Sequence, residues 1–264
     1  MFFSVSALIF AASATVTIVW CASMSSMGGM TMPGGWTMSM MWMRMPGQTW
    51  PGAAASFVGM WSVMMVAMML PSLVPMLMRY RQAVVATGAT SATSATNALR
   101  LGFLTVLVGI AYFLVWALFG AVVYPLGMAL ADVEMRQPEV SRAVPFAAGA
   151  AILIAGLLQF TAWKGRYLER CRQTPAGGRA LPADVATAWR HGLRLGLHCC
   201  YSCAGPMVIL LVLGMMDLRA MAVVTSAITL ERFAPSAERV AGVIGAVIVA
   251  AGLFLMIQNL ADLI

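Results

Sequence analysis

Residues 57–78 read FVGMWSVMMVAMMLPSLVPMLM, and this stretch decides the fold class. It runs for 22 positions without a charged residue, and a helix needs about 20 mainly apolar residues to cross a bilayer. The rest of the chain is similar: 61% of its 264 residues are hydrophobic and 9% are charged, whereas a soluble domain carries about 25% charged residues. This composition excludes a soluble enzyme, a disordered protein, a coiled coil and a nucleic-acid binder. It predicts an all-α, polytopic transmembrane helical bundle.

Seven apolar segments are candidates for membrane spans, and together they predict one transmembrane domain over residues 1–264. They cover residues 3–23, 53–78, 101–124, 143–163, 195–216, 217–233 and 240–262. The sixth is the weakest because it is short and has charged residues at both ends, and it either spans or re-enters. Since charge inside a membrane is costly, we expect Glu231 and Arg232 at its end to pair locally or to face lipid headgroups.

Basic residues assign the sides of the membrane. Segments 79–100 and 164–194 contain ten of the sixteen Lys and Arg residues. By the positive-inside rule, we predict that both segments are cytoplasmic loops and that the N-terminus is cytoplasmic. Segments 24–52 and 125–142 are then extracytoplasmic loops. This topology accounts for the net charge of +7. We therefore predict the lipid bilayer as a partner and predict no binding to nucleic acid.

A methionine-rich segment follows the first span. Residues 24–45 read MSSMGGMTMPGGWTMSMMWMRM, and nine of these 22 residues are Met. Thioethers are soft ligands that suit Cu(I), and the intervening Gly and Pro residues allow a loop to fold around an ion. Methionine is also an adaptable packing residue, so interfacial packing or docking on a partner protein remains open.

A second group of soft ligands is HCCYSCAGPM, residues 198–207. Residues four apart share one face of a helix, which groups Cys199 with Cys203 and Met207, and Met64 with Met68. Met65 and Met69 form an adjacent stripe. Our hypothesis is that this group binds a soft transition metal, copper as Cu(I), through Cys199, Cys203, Cys200, His198, Met207, Met64 and Met68. Plain packing and thiol redox chemistry are the alternatives, and Cys21 and Cys171 are interpreted as incidental.

No catalytic constellation accompanies these ligands. The sequence contains no GxSxG, HExxH or phosphate-binding motif. Its two histidines are too few for a His-rich di-iron site. We therefore predict no catalytic residue, and the chain is more simply explained as a protein that is not an enzyme by itself.

Two blocks, residues 59–77 and 191–235, resemble a bacterial domain-of-unknown-function family of predicted metal-binding integral membrane proteins. In that family's pattern Cys199 and Cys203 match, Ser202 stands where another Cys is usual, and Cys200 is additional. The resemblance implies a metal-binding protein of the bacterial inner membrane.

Two classes of function fit these features. The first is a protein that binds or passes Cu(I), with the Met-rich outer loop capturing the ion and the Cys/Met group holding it inside the membrane. The second is an accessory or assembly subunit of a larger membrane complex, such as a metallo-oxidase or monooxygenase, docked through residues 24–50. A secondary transporter is the weakest hypothesis, because few buried ionisable residues are available to couple it to an ion gradient.

Overall fold

The computed structural model describes residues 2–26, 28–33, 35–43, 47–86, 95–172 and 181–261. Helical residues make up 87% of this part, which confirms the all-α prediction. Its eight α-helices are α1 (Phe2–Ser26), α2 (Trp50–Val85), α3 (Ala95–Arg136), α4 (Pro138–Leu158), α5 (Ala162–Arg172), α6 (Val185–Leu213), α7 (Leu218–Phe233) and α8 (Ala237–Ala261). The methionine-rich segment contains the short strands β1 (Gly29–Thr31) and β2 (Thr37–Ser39) and a 3-10 turn, Met40–Trp42.

Six of these helices are long and apolar enough to cross a membrane, counted over the described residues: α1, α2, α3, α4, α6 and α8. They correspond to six of the seven predicted segments. The remaining predicted segment, 217–233, corresponds to α7, which has 16 residues, or about 24 Å of helix. That is shorter than the roughly 30 Å hydrocarbon core of a bilayer.

Several predicted loops are helical. The prediction of a loop over 125–142 is wrong, because α3 continues to Arg136 and α4 begins at Pro138. The expected loop 164–194 contains most of α5 and the start of α6. An apolar run marks only the apolar part of a helix, so it misses the polar turns at helix ends. Residues 87–94 and 173–180, from the two predicted cytoplasmic loops, lie outside the described residues.

Glycines bring α3 and α6 into close contact. A Cβ atom at Gly192 would lie 2.5 Å from the carbonyl oxygen of Val108, and one at Gly196 would lie 3.0 Å from that of Tyr112. Small residues four apart are a common way for membrane helices to approach closely. The approach sets the side chain of Tyr112 against the next turn of α6, where Cys199 lies.

The α4–α8 pair forms a second packing unit, also joined through glycines. A Cβ at Gly156 of α4 would meet the backbone nitrogen of Val249 of α8 at 2.8 Å. Gly205 of α6 approaches the carbonyl oxygen of Ala155 in the same way. As a result, the C-terminal end of α4 lies against α6, and α5 and the end of α7 pack against α6 as well.

The methionine-rich segment is folded against the helices. Strands β1 and β2 pair antiparallel with Met30 opposite Met38. Trp36 Nε1 donates a hydrogen bond of 2.9 Å to the carbonyl oxygen of Ser141, and Ser141 Oγ donates one of 2.9 Å to the carbonyl oxygen of Pro33. The segment therefore caps the α3–α4 end of the bundle. Met27, Arg44 and Met45 lie outside the described residues.

Candidate metal centre

Three sulfur atoms meet in the interior, between the middle of α2 and the middle of α6. Cys199 Sγ lies 3.9 Å from Cys203 Sγ and 3.9 Å from Met69 Sδ. All three side chains are at most 1% exposed. A metal–sulfur bond of about 2.3 Å in a trigonal arrangement puts neighbouring sulfurs about 4 Å apart. The two sulfur–sulfur distances from Cys199 in this sulfur cluster match this value, so Cys199 is spaced to share a soft metal ion with Cys203 or with Met69.

Two hydrogen-bond donors point at the cluster. Tyr112 Oη donates to Cys199 Sγ at 2.8 Å. Arg232 Nη2 donates to Cys199 Sγ at 2.8 Å and to Cys203 Sγ at 3.3 Å, and its Nη1 donates to Ser72 Oγ at 2.9 Å. A guanidinium stays protonated in proteins, so it supplies the positive charge that a thiolate needs in an apolar interior.

A buried ion pair lies beside Arg232. Lys164 Nζ of α5 is 2.7 Å from Glu231 Oε2, with both side chains at most 4% exposed. Gln159 Nε2 donates to Glu231 Oε1 at 3.0 Å, and Lys164 also donates to the carbonyl oxygen of Ser202. The expectation that Glu231 and Arg232 pair locally or face headgroups is therefore wrong. Their partners are distant in sequence and are brought together by packing of α2, α4, α5 and α6 around the end of α7.

The other proposed ligands fall into two groups. Met64, Met68 and Met207 are buried in the same apolar core as the two cysteines. Cys200 and His198 are half-buried on other sides of α6, and the His198 ring lies 5.9 Å from that of Tyr167 on α5. Among the described residues, no three His, Cys, Asp or Glu side chains converge as a metal site would require. A three-coordinate metal centre on the two cysteines would need another kind of third ligand, and Met69 sulfur lies 3.9 Å from Cys199 Sγ.

Sequence reasoning missed three contributors to the cluster: Met69 as a neighbour of Cys199, Tyr112 and Arg232. Met69 had a signal, because it lies on the stripe beside Met64 and Met68, but the rotation of α2 in the bundle was not readable from the sequence. The signal for Arg232 was weaker: it is a basic residue in the last turn of a short apolar helix.

Cys171 of α5 lies beside Ser202, which is itself a neighbour of Cys203 in the cluster. It is 1% exposed, and its Sγ is 3.8 Å from Ser202 Oγ. Burial raises the pKa of the Cys171 thiol, so this side chain is a neutral thiol at pH 7 and behaves as a small apolar residue.

A second collection of methionines lines a cavity of about 210 Å³ between α1, α2 and the methionine-rich segment. Its lining includes the thioethers of Met24, Met41, Met43 and Met60 together with aromatic side chains. We call it the methionine cavity. Cys21, one turn before Met24 on α1, has its Sγ 3.7 Å from Met216 Sδ.

Residues 58–255 match the family model of PpoB2, described as a copper chaperone. The chain belongs to this copper chaperone family. The match spans about three quarters of its length, and it supports the copper association expected from the soft ligands. No curated protein and no solved structure matches the chain.

The matched range contains one of the two sulfur-rich regions of this chain and not the other. The sulfur cluster and Arg232 lie inside it, whereas the methionine-rich segment 24–45 lies before it. The family match therefore covers the sulfur cluster in the interior of the bundle. It does not cover the methionine-rich segment, so any role for the methionine cavity is argued from the geometry of the cavity.

Proposed function

We propose that this copper chaperone spans a membrane and binds Cu(I) at Cys199, Cys203 and Met69. The observation that carries the proposal is the pair of 3.9 Å sulfur–sulfur distances in a fully buried setting. Cu(I) prefers thiolate and thioether ligands. Because these three side chains are at most 1% exposed, their burial also keeps a bound Cu(I) away from oxidants and competing ligands.

In this proposal the methionine cavity captures copper before it reaches the cluster. Helix α2 contributes Met60 to the cavity and Met69 to the cluster, which are about 14 Å apart along the helix axis. The buried thioethers of Met64, Met65 and Met68 lie between them on α2. Weak thioether ligands along such a route allow an ion to be passed on, and the thiolates at the end hold it more strongly.

The membrane is proposed to be the bacterial inner membrane, with the N-terminus cytoplasmic. Support comes from the six apolar helices and from Arg79, Arg81 and Arg100, which lie near one end of α2 and α3. Reporter fusions that act on only one side of the membrane test this orientation. Periplasmic reporter activity at the α2–α3 connection would contradict it.

The test of copper binding is metal analysis of detergent-purified protein loaded with Cu(I) under reducing conditions. The wild-type protein is expected to hold copper, and Cys199→Ser/Cys203→Ser is expected to lose the equivalent bound at the cluster. Cys200→Ser is the matched control, because Cys200 is half-buried on another side of the same turn, and it is expected to retain copper. A wild-type protein without copper, or a double variant with wild-type copper content, would refute the assignment.

A chaperone delivers its metal to another protein, and we propose residues 24–50 as the contact surface for that partner. Met30 and Trp50 support this choice, since these apolar side chains of the segment are 39% and 58% exposed. The partner would belong to a membrane complex that uses copper. Co-purification after crosslinking at exposed positions of this segment tests the proposal, and capture only through other surfaces would count against it.

A further inference from the structure

The charged side chains around the sulfur cluster carry a net positive charge when both cysteines are neutral. Lys164 and Glu231 form a neutral pair at 2.7 Å. Arg232 is 6% exposed, and its hydrogen bonds within the described residues go to cysteine sulfurs and serine hydroxyls, with no carboxylate among them. The described interior thus holds an arginine charge whose direct hydrogen-bond partners include two groups that can become anionic, the thiols of Cys199 and Cys203.

We propose that Arg232 makes the site selective for a monovalent metal ion, Cu(I) or its analogue Ag(I). This inference rests on the proposed function of the cluster. Cysteines bind metals as thiolates, after their protons have left. Two thiolates, one monovalent ion and one guanidinium sum to zero. The same site holding Zn(II) or Cd(II) carries one unbalanced positive charge, and an unbalanced charge in an apolar interior is strongly unfavourable.

The contacts of Arg232 fit this role. Its Nη2 lies within 3.3 Å of both cysteine sulfurs, so it acts on both proposed thiolates at once. Its Nη1 is held by Ser72 of α2, and the adjacent Glu231 fixes the end of α7 through Lys164. The charge is therefore held beside the sulfurs by its neighbours on α2 and α5, and Arg232 is a specificity-determining residue that does not itself bind metal.

The proposed site has three sulfur ligands, and Zn(II) prefers four, so ligand number also disfavours Zn(II). The effect of the Arg232 charge is therefore tested in variants that keep all three sulfur ligands. Arg232→Gln removes the charge and keeps a hydrogen-bond donor, and Arg232→Lys keeps the charge. Arg81→Gln is the matched control, since Arg81 is a half-buried arginine of α2 that contacts Thr105 and the ring of Phe2. Affinities for Cu(I), Zn(II) and Cd(II) are measured on the full chain in detergent by chelator competition under reducing conditions. Cys199→Ser/Cys203→Ser gives the background from other sites.

We expect Arg232→Gln to lower Cu(I) affinity by about 100-fold, the scale for removing one partner of a buried charge pair. Affinity for Zn(II) and Cd(II) is expected to be unchanged or higher, so the ratio between monovalent and divalent ions falls. Arg232→Lys is expected to stay within about tenfold of wild type, and Arg81→Gln to match wild type.

An unchanged ratio in Arg232→Gln, or an equal loss of ratio in Arg232→Lys, would overturn the inference. If Arg232→Gln does not fold, the wild-type protein still tests the inference. Binding of Zn(II) or Cd(II) at its two cysteines as tightly as Cu(I) would overturn the proposed selectivity for monovalent ions. These outcomes are separate from failure of the proposed function, in which the wild-type protein binds no Cu(I) at all.

Discussion

At the scale of single residues, the candidate site is defined by what surrounds Cys199. Its sulfur has a thioether, a second cysteine, a phenol and a guanidinium as neighbours. A cysteine buried only for packing has no need of two strong donors. The arrangement is therefore more specific than the spacing of the cysteines in the sequence.

The hydroxyl of Tyr112 offers a test at this scale. Tyr112→Phe removes a hydrogen bond to Cys199 and is expected to weaken Cu(I) binding by about three- to tenfold, from the roughly 1 kcal/mol net value of a hydrogen bond. Tyr80→Phe is the matched control, because Tyr80 is also fully buried and its hydroxyl makes no hydrogen bond within the part of the chain that the structure describes. Chelator competition measures both, and equal affinities in the two variants would show that the Tyr112 hydroxyl does not act on the site.

At the scale of helices, the site depends on how closely α3 and α6 approach. Gly192 and Gly196 permit the approach, and Tyr112 reaches Cys199 only because of it. Helix α6 therefore has two roles: its glycines form the packing surface, and its cysteines form the proposed ligands.

Gly192→Ala tests this packing. The added methyl group would lie 2.5 Å from a carbonyl oxygen of α3, so we expect a loss of about 1–3 kcal/mol in the free energy of unfolding and weaker Cu(I) binding. Gly109→Ala on α3 is the control, since nothing lies within 4 Å of a Cβ there. It is expected to leave stability unchanged or raise it by up to about 1 kcal/mol. Denaturant titration in detergent measures both, and equal stabilities would contradict the packing argument.

At the scale of the whole molecule, the sequence predicted six long apolar helices and one pair of neighbouring cysteines. The six helices were readable because each is a long apolar run. The pairing of Cys199 with Cys203 was readable because residues four apart on a helix are neighbours. Met69 was not, since its contact depends on how α2 is rotated in the bundle. The position of Arg232 was not readable either, because its partners lie far away in the sequence, on α2 and α6.

The molecule as a whole has two kinds of sulfur region, and they should respond differently to acid. Thiolates must lose a proton to bind a metal, whereas thioethers have none to lose. We expect Cu(I) bound per chain to fall between about pH 8 and about pH 5, leaving the share held by the methionine cavity. In Cys199→Ser/Cys203→Ser the bound copper should be independent of pH over this range. A pH-dependent loss in that variant would refute the division into two kinds of site.

The position of Arg232 at the end of α7 also has a consequence for the order of synthesis. Ribosomes add roughly 5–20 residues per second, so Cys199 and Cys203 are made seconds before Arg232 and before the Lys164 partner Glu231. Until α7 is in place, the cysteines lack their balancing charge. If the proposed site is the copper site, tight binding begins only after α7 has been added, and chains that stop before α7 do not hold copper tightly at the two cysteines.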